Sequence, residues 1–411
     1  MRTIFFLLSA ILIAVSCDTP QALQPNETDY FLKFYGSDGD QTGVDFIVND
    51  DGTFVLVGNS QKSTTSDWQI YVVKIGQTGE IIWEGTFGSV SRDEEARDIE
   101  LLKNGELIIA GNSKPKNVTA QSDVYLLKLN QDGGFVDSLR QETRTSFENV
   151  SSVTEVTTAS DSSELIVAGS ISGTSGNAQD TDAMHMRFKI DRNLNKLKRV
   201  SELEWKTRPT FASFDFAGNQ SAIKVEQLDD NTFFAFGTSK QPGKSSDFWY
   251  YTLSKNANAP INSTFIGEAT QDEILTSVTR SGFRVVLTGI QSDSRVVAAL
   301  LPLPLPSSSS ATTVTILKID GAKFNQPRLA IGKNGYWVAG GNIALARTNA
   351  IGSQFGVEQL LGKSGSNVGT ITELQDGRAA IIGTMPLGGE GSNNPTKMVF
   401  MKLNPNGKLA P

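Results

Sequence analysis

The feature that most restricts what this chain can fold into is a short apolar segment, closed by glycine, that returns seven times. It reads DGTFVLVGNS, NGELIIAGNS, SSELIVAGS, DNTFFAFGTS, SGFRVVLTG, NGYWVAGG and DGRAAIIGT, with the recurring glycines at Gly58, Gly111, Gly169, Gly237, Gly289, Gly340 and Gly383. Successive glycines are 43 to 68 residues apart. A period of that size is one supersecondary unit per repeat, and such a unit buries its apolar faces only against its neighbours. The chain is therefore expected to be one repetitive body and not two or three unrelated domains.

Each unit carries four apolar runs. After the glycine come a polar loop and a second run, as in SDWQIYVVKI, SDVYLLKL, TDAMHMRFKI, SDFWYYTL and KMVFMKL. A turn such as GQTGE or NQDGG leads to a third run, for example IIWEGTFG ending at Gly88, and a fourth run such as EARDIELL feeds the next glycine segment. Short runs rich in Val, Ile, Thr and Phe, punctuated by Gly, Asn, Asp and Ser, are strands and turns. Four strands per unit is one blade, so the expected fold is all-β: a seven-bladed β-propeller of four-stranded blades. From the axis outward the strands are a (ARDIELL type), b (holding the glycine), c (YVVK type) and d (WEGTFG type).

The two ends predict how the ring closes. The last unit supplies a, b and c and stops at Pro411 without a strand d. The missing strand stands at the other end, where YFLKFYGS (Tyr30 to Ser37) matches WEGTFGS, and Gly36 precedes Gly58 by 22 residues just as Gly267 precedes Gly289. The propeller is thus expected over residues 30–411, with its first strand completing its last blade. Closure of this kind leaves no open sheet edge on either terminal blade.

These motifs resemble those of a family of bacterial repeat propellers in secreted and lipid-anchored proteins, with a pattern near W-x-K-x-Y-G, D-G-G-Y-I-x-x-G and D-x-W-L-V-K-L. The resemblance runs from Tyr30 to the carboxyl terminus. Blade three departs from the pattern by extra loop sequence, blade four by Thr252 in place of the strand-c Lys, and blade six by the near absence of a loop after Gly341. The resemblance implies the fold and an extracytoplasmic setting, and no shared chemistry.

The segment before the propeller fits that setting. Arg2 is followed by IFFLLSAILIAV (Ile4 to Val15), shorter than the roughly 20 residues that span a bilayer but suited to the apolar region of a signal peptide. It ends in Ala14-Val15-Ser16-Cys17, which resembles the lipobox of bacterial lipoproteins, with Ala14 where Leu is usual. Residues 1–16 are read as a lipoprotein signal peptide, Cys17 as the lipidation site, and 17–29, polar with two prolines, as a tether. The protein is expected in the bacterial cell envelope, lipid-anchored at the outer membrane on its periplasmic or surface side. Because the tether joins strand d at its first residue, the lipid is expected on the face of the c-to-d turns, with the b-to-c loops pointing away.

Composition removes several chemistries. One Cys and one His, His185, exclude an internal disulfide and any multi-Cys or multi-His metal site, and nothing calls for a cofactor. A net charge of -7 without a basic face argues against nucleic acid. GVEQLLGKS (Gly356 to Ser364) has five residues between its glycines where a phosphate-binding loop has four, and no helix is expected after it. The series Asp67, Asp123, Asp182 and Asp247, one per blade, reads as turn architecture more readily than as a calcium ring, and the strand-c lysines (Lys74, Lys128, Lys189, Lys402) likewise.

What remains is recognition. The b-to-c loops are long, variable and rich in Ser, Thr, Asn and Gly, which suits contact with a protein or a glycan. Trp68, Phe248 and Trp249 lie at the edge of that face as candidate binding residues that could stack on a sugar, packing being their competing role. Trp83, Trp205 and Trp337 read as packing residues. LPLPLPSSSS (Leu301 to Ser310) is expected to form an extended spur between strands c and d of blade five. The leading expectation is a membrane-anchored binding scaffold. Its alternatives are a carbohydrate-active enzyme using paired carboxylates in the funnel, such as Glu94 with Glu95 or Asp50 with Asp51, and a structural accessory subunit of an outer-membrane complex.

Overall fold

The computed structural model describes residues 30–116, 121–141, 147–157, 163–172, 181–191, 194–199, 218–227, 232–241, 243–254, 263–282, 284–303, 305, 315–351, 353, 359–388 and 394–409. These form seven four-stranded antiparallel sheets, each ordered a-b-c-d, and none of the described residues is helical. Blade one consists of Asp40–Val48, Phe54–Gln61, Gln69–Ile75 and Ile81–Phe87. Blades two to six follow over 92–141, 148–199, 219–266, 273–323 and 328–360. The seven-bladed propeller is as the repeat predicts.

The ring closes where the two ends predict. Strands a, b and c of blade seven are Asn367–Glu373, Ala379–Pro386 and Thr396–Lys402, and the outer strand is Phe31–Tyr35, with Leu32 opposite Met401. Aromatic packing seals the joint. The Phe400 ring lies 5.1 Å from Phe46 and 4.9 Å from Phe54, both in blade one, and 6.1 Å from Phe31 of the closing strand. The remaining core is of the same type, lying between blades and not within them. Strands b and c are covered on both faces, so they are apolar at successive positions and do not alternate.

The recurring glycine has a steric cause. In six of the seven blades, all but blade six, strand a carries a bulge opposite it: between Gly43 and Asp45 in blade one, Ala96 and Asp98 in blade two, and likewise onward. The bulge turns the carbonyl of the residue before the pair toward strand b. A Cβ on Gly58 would stand 1.7 Å from Thr42 O, on Gly111 2.0 Å from Glu95 O, and on Gly237 1.8 Å from Ser221 O. Only hydrogen fits.

In four blades the residue after the glycine staples the blade to the next. The Asn59 side-chain oxygen accepts the Ala96 N–H (2.6 Å), that of Asn112 the Val150 N–H (3.2 Å), Thr238 Oγ1 the Leu275 N–H (2.9 Å) and Thr384 Oγ1 the Gly43 N–H (3.0 Å). A second staple uses the first residues of strand a. Asp40, Asp93, Asn219 and Asp272 accept the N–H of Thr396, Trp68, Thr181 and Ser246, each at the start of strand c in the preceding blade. The next residue, Gln41, Glu94, Gln220 or Glu273, is buried. Glu94 shows why: it accepts from Ser89 N (2.9 Å), Ser113 Oγ (3.0 Å) and Arg140 Nη2 (2.9 Å), gathering strands b and d onto strand a.

One expectation is corrected. The Pro-Leu repeat does not begin as a spur, because strand c of blade five runs Arg295–Pro302 with Pro302 opposite Arg284. Alternate leucines explain it: Leu301 and Leu305 are buried in the cluster between blades four and five, with Leu303 packed against them. Residues 304 and 306–310 of that segment, with Cys17 and Trp205, lie outside the described residues.

The seam predicts its own test. Asn112→Ala strands the buried Val150 N–H and Glu148 O, and is expected to lower the urea unfolding free energy by ~1–3 kcal/mol. Gly111→Ala, which forces its Cβ onto a backbone carbonyl, is expected to cost ~3 kcal/mol or more in the same measurement.

Candidate functional site: the central channel and its mouth

Seven strands a surround a channel of about 1210 Å³ whose wall includes Thr42, Asp45, Asp98, Ser152, Lys224, Ser277, Arg328 and Thr370. Six of these occupy one register position, the residue after the bulge. Asp45, Asp98, Ser152, Lys224, Ser277 and Thr370 each pair with the residue before the recurring glycine, and Arg328 holds the same place in blade six, opposite Ala339. One level of the channel thus carries two acids, two bases and three hydroxyls.

Strand a has no neighbour on its axial side, so its backbone groups there need other partners. Side chains of adjacent blades supply them. Asp98 accepts the Val153 N–H (2.8 Å), Thr154 Oγ1 donates to Val225 O (2.9 Å), and Thr279 Oγ1 donates to Leu329 O (2.7 Å). Arg328 donates through Nε to Gly369 O (2.8 Å) and through Nη1 to Thr276 O, bridging blades five and seven across blade six.

Asp45 and Asp98 meet in adjacent blades and share a hydrogen bond. Burial raises Asp45 well above the ordinary carboxylate range, and the neighbouring Asp98 charge adds to this. Asp98 is also raised by burial, with Asp45, Lys224 and the Val153 N–H pulling the other way. Two residues along, burial and then Asp98 push Glu100 up to about 7. Burial alone would lower Lys224, but Glu226, Asp98, Glu100 and Asp45 together raise it. Other wall charges are paired: Glu95 with Arg97 and Lys114 (3.0 Å each), and Glu226 with Arg280 (3.5 Å) and Lys224 (3.7 Å).

The sequence-predicted residues separate. Trp68 lines the channel at its b-to-c mouth, half-buried, with its backbone held by Asp93 and Glu94. Phe248 and Trp249 are buried. Phe248 packs beside Gly289 of the next blade, and the Trp249 ring lies 4.0 Å from Tyr251 and stacks on Phe265 at 6.3 Å. Trp83 covers Gly133, and Trp337 donates from Nε1 to Glu373 (2.6 Å) beneath Arg347. His185 is a core residue, bonded through Nε2 to Tyr251 Oη (2.8 Å), and burial holds its pKa down to about 3.

The acidic pairs expected across a funnel are elsewhere. Glu94 is consumed in the blade core, Glu95 in wall ion pairs, and Asp51 caps the exposed a-to-b turn through Thr53 (2.9 Å). Of the strand-c series, Asp123 pairs with Arg92, and Asp67 lies 2.5 Å from Lys116. Among the described residues no three of His, Cys, Asp and Glu group as a metal site would require. The Asp45–Asp98 pair escaped the sequence reading although a signal existed. Both stand 13 residues before their glycines, as do Lys224 and Thr370.

No family model matches the chain, and no curated protein is similar to it in sequence. Solved structures do resemble it. Extracellular domains 1–2 of Drosophila Semaphorin 1a are similar at a TM-score of 0.50 and 9% identity, over 91% of this chain and 88% of that one. The β-propeller domain of Cps50 (Swd1) from Myceliophteria thermophila gives 0.49 and 10%, over 89% and 98%, and an α-L-arabinanase from Penicillium chrysogenum 0.43 and 13%, over 90% and 95%. At 9% identity the semaphorin likeness shows a shared fold alone.

The channel acids give a pH test. Glu100 is held near 7 in the folded chain against about 4.5 unfolded, so the folded state binds the extra proton between these values and stability falls as pH rises through them. Glu100→Gln is expected to match the parent near pH 4.5 and to exceed it by ~1–3 kcal/mol at pH 8 in chemical denaturation.

Proposed function

We propose that this protein is a lipid-anchored binding scaffold of the bacterial envelope, which presents the b-to-c mouth of its channel, with Trp68 at the rim, to a protein or glycan partner. One observation carries the reading. Among the described residues, the ionisable side chains of the channel wall are engaged with one another or with the inner edges of the blades. The two acids that meet, Asp45 and Asp98, are engaged with each other and with the Val153 N–H, whereas a glycosidase needs its two carboxyl groups ~5 to 9.5 Å apart, with sugar and water between them. A wall committed in this way supports the ring and leaves the mouth for recognition.

Trp68 suits that mouth. An aromatic face in a channel also lined by Thr42, Asn149 and Ser151 can stack on a sugar ring or cover a partner's apolar side chain while polar wall groups supply hydrogen bonds. The anchor half of the proposal rests on the Ile4 to Val15 run and the Ala14-Val15-Ser16-Cys17 motif. Acyl chains on Cys17 would hold the propeller at a membrane, and the polar tether would set its reach.

A glycan array combined with cross-linking capture from envelope extracts tests recognition. Trp68→Ala is expected to weaken any captured partner at least ~10-fold without moving the melting temperature, as for a hot-spot aromatic. Phe248→Ala and Trp249→Ala are expected to lower stability by ~3–5 kcal/mol, as for core aromatics. Equal binding by Trp68→Ala and its parent would remove Trp68 from the site. For the anchor, Cys17→Ser is expected to shift the protein from the membrane to the soluble fraction and to abolish incorporation of labelled palmitate.

A further inference from the structure

Four large apolar side chains stand in the open along one arc of the c-to-d face. They are Ile81 (51% exposed) and Ile82 (52%) in blade one, Phe135 (60%) in blade two and Leu194 (68%) in blade three. Contacts join them into one surface. The closing strand Phe31–Tyr35 lies on the blade-one turn, with Lys33 Nζ donating to Thr78 O (2.8 Å) and Tyr35 Oη to Gly79 O (2.9 Å). Trp83 of blade one covers Gly133 in the blade-two turn. Blade two in turn holds the blade-three turn, as Asp137 accepts the Leu197 N–H (2.7 Å) and Glu106 the Asn195 amide (2.9 Å). Val48 and Leu101, at the ends of strands a in blades one and two, are exposed on the same face.

The opposite face differs. Its exposed large apolar residues among those described are scattered: Val90 between blades one and two, Ile274 in blade five and Leu360 in blade six. The arc begins where the amino-terminal segment joins the propeller at Phe31 and ends beside the basic strand Lys196–Arg199, whose Lys196 and Lys198 are exposed and pair with no carboxylate among the described residues. Exposed apolar side chains at the point where the amino-terminal segment joins, with lysines at the blade-three end and the exposed acids Glu80 and Asp132 along the arc, suit a shallow contact with a bilayer interface. There the apolar groups reach the acyl boundary while the ammonium groups meet lipid phosphates.

We propose that the c-to-d arc Ile81–Ile82–Phe135–Leu194 docks on the bilayer surface, so that the propeller lies against the membrane and its b-to-c mouth faces away. The proposal rests on the Cys17 anchor above: the anchor supplies proximity and the arc sets orientation. The arc is too small to retain the protein alone, but a tethered chain needs little additional affinity to adopt one orientation.

Site-directed quenching tests it on the full lipidated chain, reconstituted into vesicles of phosphatidylethanolamine and phosphatidylglycerol. Cys17 is acylated there, so Ile82→Cys, Leu194→Cys and, on the opposite face, Val90→Cys each give one site for an environment-sensitive fluorophore. Nitroxide groups on the lipid acyl chains are expected to quench the labels at 82 and 194 at least ~2-fold more than the label at 90, with bluer emission at the first two. Vesicle flotation with equal quenching at all three positions overturns the docking and leaves the anchor standing. A chain that takes label at Cys17 and does not float overturns both. Stronger quenching at 90 than at 82 and 194 shows the reverse orientation and also overturns the proposal.

Discussion

The structure depends on one close contact, the strand-a carbonyl that sits where the Cβ of six of the seven recurring glycines would be. The bulge that creates the contact also bends the inner strand, and six blades share it. A bulge adds local twist, and twisted sheets packed face to face around an axis must splay outward. Glycine lets strands a and b approach closely enough for the next residue, Asn or Thr, to cross the seam into the neighbouring blade. Blade geometry and ring assembly therefore come from one dipeptide.

Once seven inner edges face an axis, the channel has a chemical problem of its own. Unpaired backbone groups line it, and they are met by side chains from adjacent blades at two register levels. This explains why charged residues point into the channel without forming a catalytic constellation. Asp98 serves a backbone N–H, Arg328 serves two carbonyls, and Asp45 meets Asp98, with burial and the Asp98 charge raising its pKa. Blade six makes the point by exception. It lacks the bulge, its loop after Gly340 is shortened to residues 341–343, and its inner strand carries the arginine that bridges its two neighbours.

The two faces differ in character. Strands d begin on the c-to-d face, so the amino-terminal segment arrives there, among exposed isoleucine, phenylalanine and leucine. The b-to-c face carries the long polar loops and Trp68. A propeller separates its faces by the length of its strands, about 3.3 Å per residue, so a chain attached at one face keeps the other clear of whatever it is attached to.

Much of this was legible in the sequence because it repeats. Seven glycine segments set the blade count, a missing final strand and a matching first strand set the closure, and local patterns set every strand, since each blade solves the same packing problem. The [Asp/Asn]-[Gln/Glu] pair at Asp40-Gln41, Asp93-Glu94, Asn219-Gln220 and Asp272-Glu273 was equally available as a repeat and marks the buried staple. What does not repeat had to wait for the tertiary structure. Phe248 and Trp68 look alike in sequence, each just before or within strand c, yet one packs against a neighbouring blade's glycine and the other lines the channel. The leucines of the Pro-Leu run were drawn into the core by a neighbouring blade. Asp45 and Asp98, 53 residues apart, meet only because a ring places adjacent inner strands side by side. Periodicity alone determined the ring, because it records contacts that every unit makes. Which side chains the ring buries, exposes or brings together was decided by contacts between units, and these no single repeat encodes.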